Sequence, residues 1–169
     1  MKQIRIFQLL ALSVIISLLA IPSISFAGDL PDFTGEWTLN ESKSDLGERR
    51  GFAAFKIVVK QEGNTLTIER TRTGRDGEER ASSETLSMDG KENINENERG
   101  SSTSVVSWSE DGSALTIKAT REFNRQGETF EMNSSEVWTL AEDGKILSIQ
   151  SDISSSRGER SATLVYEKK

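Results

Sequence analysis

Residues 104–117 read Ser104-Val105-Val106-Ser107-Trp108-Ser109-Glu110-Asp111-Gly112-Ser113-Ala114-Leu115-Thr116-Ile117. Apolar side chains at Val106, Trp108, Leu115 and Ile117 alternate with polar ones on both sides of a single Asp-Gly pair. Period-two alternation marks a half-buried strand, because successive side chains point to opposite faces of a sheet. The Asp-Gly pair supplies the positive φ that a tight hairpin needs. Folding the segment about Asp111-Gly112 sets Trp108 opposite Leu115 and Val106 opposite Ile117. The same operation about Gln126-Gly127 sets Leu115 opposite Trp138 and Phe123 opposite Phe130. About Asp143-Gly144 it sets Trp138 against Ile149 and Leu140 against Leu147, and about Arg157-Gly158 it sets Ile149 against Tyr166 and Ile153 against Ala162. Independent turns thus predict one row across the sheet: Trp108, Leu115, Trp138, Ile149 and Tyr166. Such cross-strand aromatic–aliphatic pairs are what stabilise a sheet.

Working outward, further turns stand at Gly63-Asn64, Asp76-Gly77 and Asp89-Gly90. Between the turns the expected strands are 33–40, 54–61, 65–73, 79–88, 102–110, 113–124, 128–141, 145–155 and 159–168. Residues 41–52 read as a loop with room for one helical turn, and no window has the apolar spacing of an amphipathic helix. The stretch 74–84 does not continue its register cleanly, which points to a bulge. The fold class expected is all-β: an antiparallel up-and-down meander. Closing it into a small barrel of about 8–10 strands would protect its edges and bury its apolar face.

Composition bounds the function. A chain of 169 residues fits one domain. It has no cysteine and no histidine. That removes disulfides, thiolate and imidazole metal sites, and both Ser-His-Asp and Cys-His catalysis. The first residues carry Lys2 and Arg5 ahead of an apolar run from Ile6 to Ile21, followed by Pro22 and Ser25-Phe26-Ala27. This is the layout of a secretory signal peptide spanning residues 1–27 and cleaved after Ala27, leaving a domain of residues 28–169 in the periplasm or secreted. The alternative is an uncleaved anchor. Cleavage would remove Lys2, Arg5 and no acid, taking the net charge from −6 to −8. That sign argues against nucleic acid or anionic lipid as partners. Leu, Ile, Val and Phe make up about 19 % of the remainder, inside the range of disordered chains, so the strand pattern and not the composition argues for a fold.

The same registers describe the inner wall. Next to the aromatic row come Val106, Ile117, Glu136, Ser151 and Leu164, then Ser104, Ala119, Ser134, Ile153 and Ala162, then Ser102, Arg121, Met132 and Ser155. One end is bulky and apolar and the middle is small and partly polar, which leaves volume for a ligand. In the N-terminal half, the Gly63-Asn64 turn puts Phe55, Ile57, Val59, Leu66, Ile68, Arg70 and Arg72 on one face. Arg70, Arg72 and Arg121 either present guanidinium groups to a carboxylate or phosphate, or lie solvated at the rim with one of them paired to Glu136. The candidate ligand-binding residues are therefore Arg70, Arg72, Arg121, Ser134, Glu136, Trp108, Trp138 and Tyr166.

At Asp32-Phe33-Thr34-Gly35-Glu36-Trp37 the chain resembles the first strand of the calycin superfamily, the lipocalins and their relatives. Their Gly-x-Trp, here Gly35 and Trp37, implies a tryptophan that plugs the closed end of the barrel. Avidin-type barrels begin in a similar way. Phe33 to Asn40 with the following Ser42-Lys43-Ser44, Asp89 to Glu92, and Trp138 to Leu147 together resemble a group of exported bacterial lipocalin-like proteins with no established function. The resemblance implies a barrel and, as a tendency of the superfamily, a small hydrophobic or amphiphilic ligand. The cysteines of lipocalin disulfides are absent.

Catalysis would have to rest on carboxylates, Lys43 or Tyr166. Glu136 is the one acid these registers place deep inside, and none brings two acids onto the inner face, as a glycosidase would need. Residues 93–100 (Asn-Ile-Asn-Glu-Asn-Glu-Arg-Gly) are rich in oxygen ligands but lack calcium-loop spacing, and read as a solvated turn. The expectation is a non-enzymatic protein with no cofactor and no metal, binding a small amphiphilic or hydrophobic, including anionic, molecule. The alternative is a filled barrel acting as a structural or protein-interaction module.

Overall fold

Ten strands form: β1 (Gly35–Leu39), β2 (Lys56–Glu62), β3 (Thr65–Thr73), β4 (Glu79–Ser87), β5 (Glu92–Asn97), β6 (Gly100–Trp108), β7 (Ala114–Arg125), β8 (Glu128–Ala141), β9 (Ile146–Ser155) and β10 (Gly158–Lys168). The computed structural model describes residues 30–47, 53–97, 100–125 and 128–169. The expected leader, residues 48–52 of the expected loop and the Gln126-Gly127 turn itself lie outside the described residues. The strands make one antiparallel sheet in the order β4-β3-β2-β1-β10-β9-β8-β7-β6-β5. Because β1 pairs with both β2 and β10, the first and last strands meet and the meander curls into a nearly closed barrel. Its seam lies between β4 and β5. There the Asn93 side chain stands in for a backbone pair: its carbonyl accepts from the Ser87 amide at 2.6 Å, and its NH2 donates to the carbonyls of Ser87 and Ser104 at 3.1 and 3.3 Å.

The registers expected from Asp111-Gly112, Gln126-Gly127 and Asp143-Gly144 are those observed. The register expected about Arg157-Gly158 is not. Ile149 faces Leu164, Leu147 faces Tyr166, and Ala162 faces Ser151 rather than Ile153. The turn is Ser156-Arg157, and Gly158, at φ 105°, becomes the first residue of β10 opposite Ser155. The resulting slip is two residues, which keeps every side chain on its expected face. The observed row is therefore Trp108, Leu115, Trp138, Ile149 and Leu164, with Tyr166 one row further along.

Two other expectations are corrected. β3 and β4 pair without a bulge from Thr65↔Ser87 to Thr73↔Glu79, and the 74–78 loop absorbs the irregularity seen in the sequence. Residues 92–97 form an edge strand, not a turn, pairing from Glu92↔Val105 to Asn97↔Gly100. Asparagine and glutamate are poor strand formers, and the Asn93 bonds and the pairing with β6 hold this segment extended. The 41–47 stretch contains a single turn and is pinned to β10 by Asp45 and Thr163, whose backbones exchange bonds of 2.8 Å in both directions.

The core occupies one end of the barrel. Phe33, just before β1, is fully buried, stacked on Trp108 at 6.0 Å and edge-on to Trp138 at 5.7 Å. Trp37 is fully buried and its indole N–H donates to the Phe33 carbonyl at 2.9 Å. At about 25 cal/mol per Å2 over about 200 Å2 of ring, each such tryptophan contributes up to about 5 kcal/mol. With Leu115, Leu147, Ile149, Ile57, Val59 and Ile68 these rings fill that end.

Candidate functional site

The other half of the interior is open. A cavity of about 580 Å3 lies against the β4–β5 seam, bounded by inward side chains of β3 (Arg70, Arg72), β4 (Ser82, Glu84, Leu86), β5 (Asn93, Asn95), β6 (Ser102, Ser104) and β7 (Arg121, Phe123). Strand alternation places them there: the face that carries Leu66 and Ile68 toward the core carries Arg70 and Arg72 toward the cavity, two and four residues on. The space beneath Arg70, beside Glu136 and Tyr166, is a void of about 30 Å3. Arg70 thus stands at the boundary between a filled apolar end and a polar chamber.

Arg70 is the centre of an ion-pair network. Its guanidinium donates to Glu84 and, at 2.8 Å, to Glu136 Oε2. The Trp138 indole N–H donates to the same Glu136 oxygen at 3.0 Å, and the guanidinium carbon lies 5.8 Å from the Trp138 ring centre. Arg121 Nη2 stands 3.8 Å from Glu84 Oε2. The Arg70 side chain is 10 % exposed, Glu84 and Glu136 are each 25 % exposed, and Arg121 is 36 % exposed. Burial pushes the Glu136 carboxyl upward, but Arg70, the Trp138 N–H and Arg121 together outweigh it and hold the group below its ordinary value. Burial likewise works to lower Arg70, and Glu136 and Glu84 overcome it and raise its pKa. Glu136 is therefore an ionised partner of a buried cation.

Of the candidate residues, the structure brings Arg70, Arg72 and Arg121 together around the cavity, with Glu136 just behind Arg70. It does not bring Trp108, Trp138, Tyr166 or Ser134 into the cavity wall. Trp108 and Trp138 pack on Phe33, and Tyr166 is buried with its hydroxyl donating to the Ala54 carbonyl at 2.9 Å. Ser134 donates to the Ala119 carbonyl at 3.4 Å and borders a different recess, of about 610 Å3, with Thr120, Asn133 and Asp152. Gly35 opens β1 at φ 152°, where the Lys168 side chain fills the space a Cβ would take. Trp37 lies two residues on, in the filled end of the barrel. Lys43 is on the surface, 3.0 Å from Glu167.

Glu84 was missed, and so was the pairing of two interior acids. It faces Ile68 across β3–β4, so carrying the β3 face across the 74–78 loop would have found it. Among the described residues, no group of three or more acidic, histidine or cysteine side chains is placed to hold a metal ion.

No protein-family model matches the chain, and no curated protein matches it. Among solved structures, zebrafish ileal bile acid-binding protein complexed with cholic acid superposes with a TM-score of 0.50. The alignment covers 81 % of this chain and 98 % of that one, at 17 % identity. The two chains share the fold of a nearly closed antiparallel barrel. At that identity the likeness concerns the fold, and the chemistry must be argued from this chain's own side chains.

Proposed function

We propose that the protein is an exported binding protein that holds a small amphiphile by its anionic group in the barrel cavity. The observation that carries this reading is the placing of Arg70, Arg72 and Arg121 together on the wall of a chamber of about 580 Å3. That volume is within the range of small-molecule sites, and guanidinium groups are suited to bidentate recognition of carboxylate, sulfate or phosphate. Leu86 and Phe123 offer apolar contact in the same chamber. The zebrafish protein of similar fold is itself complexed with cholic acid. Export is supported by the charged, apolar and small-residue order of residues 1–27. Binding rather than catalysis is supported by the engagement of Glu84 and Glu136 with Arg70, which leaves neither as a poised acid or base.

The test is displacement of a fluorescent fatty-acid probe from wild type and from Arg72→Ala and Arg121→Ala. Each charge-assisted bond contributes about 1.5–3 kcal/mol, so each substitution should weaken binding by about tenfold or more in protein whose circular dichroism shows the barrel still folded. Unchanged affinity in both variants would refute the role of the arginines. Failure of wild type to bind any amphiphile would favour a filled interaction module, the reading supported by the packed Phe33–Trp108–Trp138 end.

A further inference from the structure

Strand pairing across β5, β6 and β7 builds one wall of the chamber. Asn95 faces Ser102, and Ser102 faces Arg121. Directly opposite residues on one face of a sheet stand about 5 Å apart. A carboxamide, a hydroxyl and a guanidinium therefore line up side by side along the chamber. No partner among the described residues engages the Asn95 amide or the Ser102 hydroxyl. Two residues along β7, the ring of Phe123 lies on the same face, opposite Gly100, which has no side chain to cover it, and is 39 % exposed. Glu84 borders the same space from β4. Its Oε1 accepts from Arg70, but Oε2 lies 3.8 Å from Arg121, beyond hydrogen-bond length, and keeps lone pairs for a donor in the chamber.

We propose that the chamber takes the head group of an acidic sugar, a pyranose that carries a carboxylate or a phosphate, along the row Asn95, Ser102 and Arg121. The proposal rests on the binding reading above and names the class of head group. A hydrocarbon laid against this row and Glu84 would strip water from an amide, a hydroxyl and a carboxylate and return no hydrogen bond. An anion without hydroxyls would satisfy Arg121, but it would offer Glu84 no donor and set a like charge beside it. A pyranose meets each group. Its hydroxyls donate to Glu84 Oε2 and to the Asn95 side-chain carbonyl, and accept from the Asn95 NH2 and the Ser102 hydroxyl. Its C–H face covers the negative face of the Phe123 ring, and its anionic group takes the Arg121 guanidinium. Leu86 remains for the apolar part of the amphiphile.

Calorimetry of the purified protein at neutral pH tests this with three probes that share one octyl chain, each below its micelle concentration: octyl glucuronide, octyl glucoside and octyl sulfate. Wild type should bind the glucuronide at least about tenfold more tightly than either of the others, because hydrogen bonds separate it from the sulfate and a charge separates it from the glucoside. In Asn95→Ala/Ser102→Ala the preference for glucuronide over sulfate should fall by about tenfold, while the affinity for octyl sulfate stays within about twofold of wild type. Loss of folding would not produce that split. Asn95→Leu alone, at an exposed position of the edge strand, repeats the comparison if the double variant fails to fold. Octyl sulfate bound by wild type as tightly as the glucuronide, or a preference that survives the substitutions, would overturn the sugar assignment and leave the anion-binding reading standing. The glucoside bound as tightly as the glucuronide, or no binding of any probe, would overturn both.

Discussion

Replacing Arg70 with methionine should expose how strongly the interior depends on one cation. The substitution keeps an unbranched chain against Trp138 but removes the bonds to Glu84 and Glu136. Removing one partner of a buried ion pair costs about 3–5 kcal/mol, because the other charge is left without compensation. The two carboxylates are each 25 % exposed and retain some hydration, which favours the lower figure, about 3 kcal/mol. With an unfolding entropy of about 2.1 cal/mol/K per residue over roughly 140 residues, that lowers Tm by about 10 °C at neutral pH. The pH dependence should also change sign. In wild type the Glu136 carboxyl is depressed below 4.5, so its contribution is complete above that pH and is lost as pH falls through the depressed value. In Arg70→Met, burial is no longer outweighed and the carboxyl rises above its ordinary value. The folded state then binds more protons than the unfolded one, and stability grows as pH falls from about 7 to 5. Calorimetric scans at both pH values test this, and the triple variant Arg70→Met/Glu84→Gln/Glu136→Gln should recover more than half of the loss. A Tm drop of less than about 3 °C, or a deficit that deepens on mild acidification, would refute the reasoning.

Tyr166→Phe leaves the Ala54 carbonyl without its 2.9 Å donor in the core and should cost about 1–2 kcal/mol in urea unfolding. Asn93→Ala removes the bonds that tie the end of β4 to β5 and β6. Hydrogen exchange at Ser87 should then accelerate by about tenfold or more, while amides of β8 and β9 keep their protection. Asp111 accepts from the Ser109 hydroxyl and from the Ser113 amide and hydroxyl, which hold its carboxyl at about 2. A carbon-detected titration should find that midpoint, and Ser109→Ala should move it upward. The part of stability linked to this group is present above the ordinary aspartate value and is lost as pH falls through about 2.

How far the molecule can be read from its residues differs along the chain. Wherever a turn leaves both strands regular, as at Asp111-Gly112 and Asp143-Gly144, the period-two pattern places partners correctly, because a one-residue error would turn the apolar set outward. Around Arg157-Gly158 that safeguard fails. A slip of two residues costs no inversion of faces, and only the position of Gly158 at φ 105° distinguishes the two registers. β5 was invisible because its strand character resides in pairing and in the Asn93 bonds, not in its own residues. The arginines on the inner face were legible, since Arg70 and Arg72 continue the Leu66–Ile68 alternation. The pairing of Arg70 with Glu84 was not, because Glu84 belongs to a strand whose register depends on a loop of non-repetitive geometry. Trp108, Trp138 and Tyr166 illustrate a different limit: alternation tells which face a ring occupies, but not whether that part of the interior is cavity or core.

The central claim is that the chamber beside the β4–β5 seam holds a small anion-bearing molecule. Native mass spectrometry of the protein purified gently from its own cells tests it most directly, with the same sample measured again after denaturation. The account predicts a discrete mass excess that vanishes on denaturation with release of a molecule bearing an anionic group, and that is missing from the Arg72→Ala/Arg121→Ala double variant. A wild-type protein at its bare polypeptide mass that also gains no mass on incubation with octyl sulfate would contradict it.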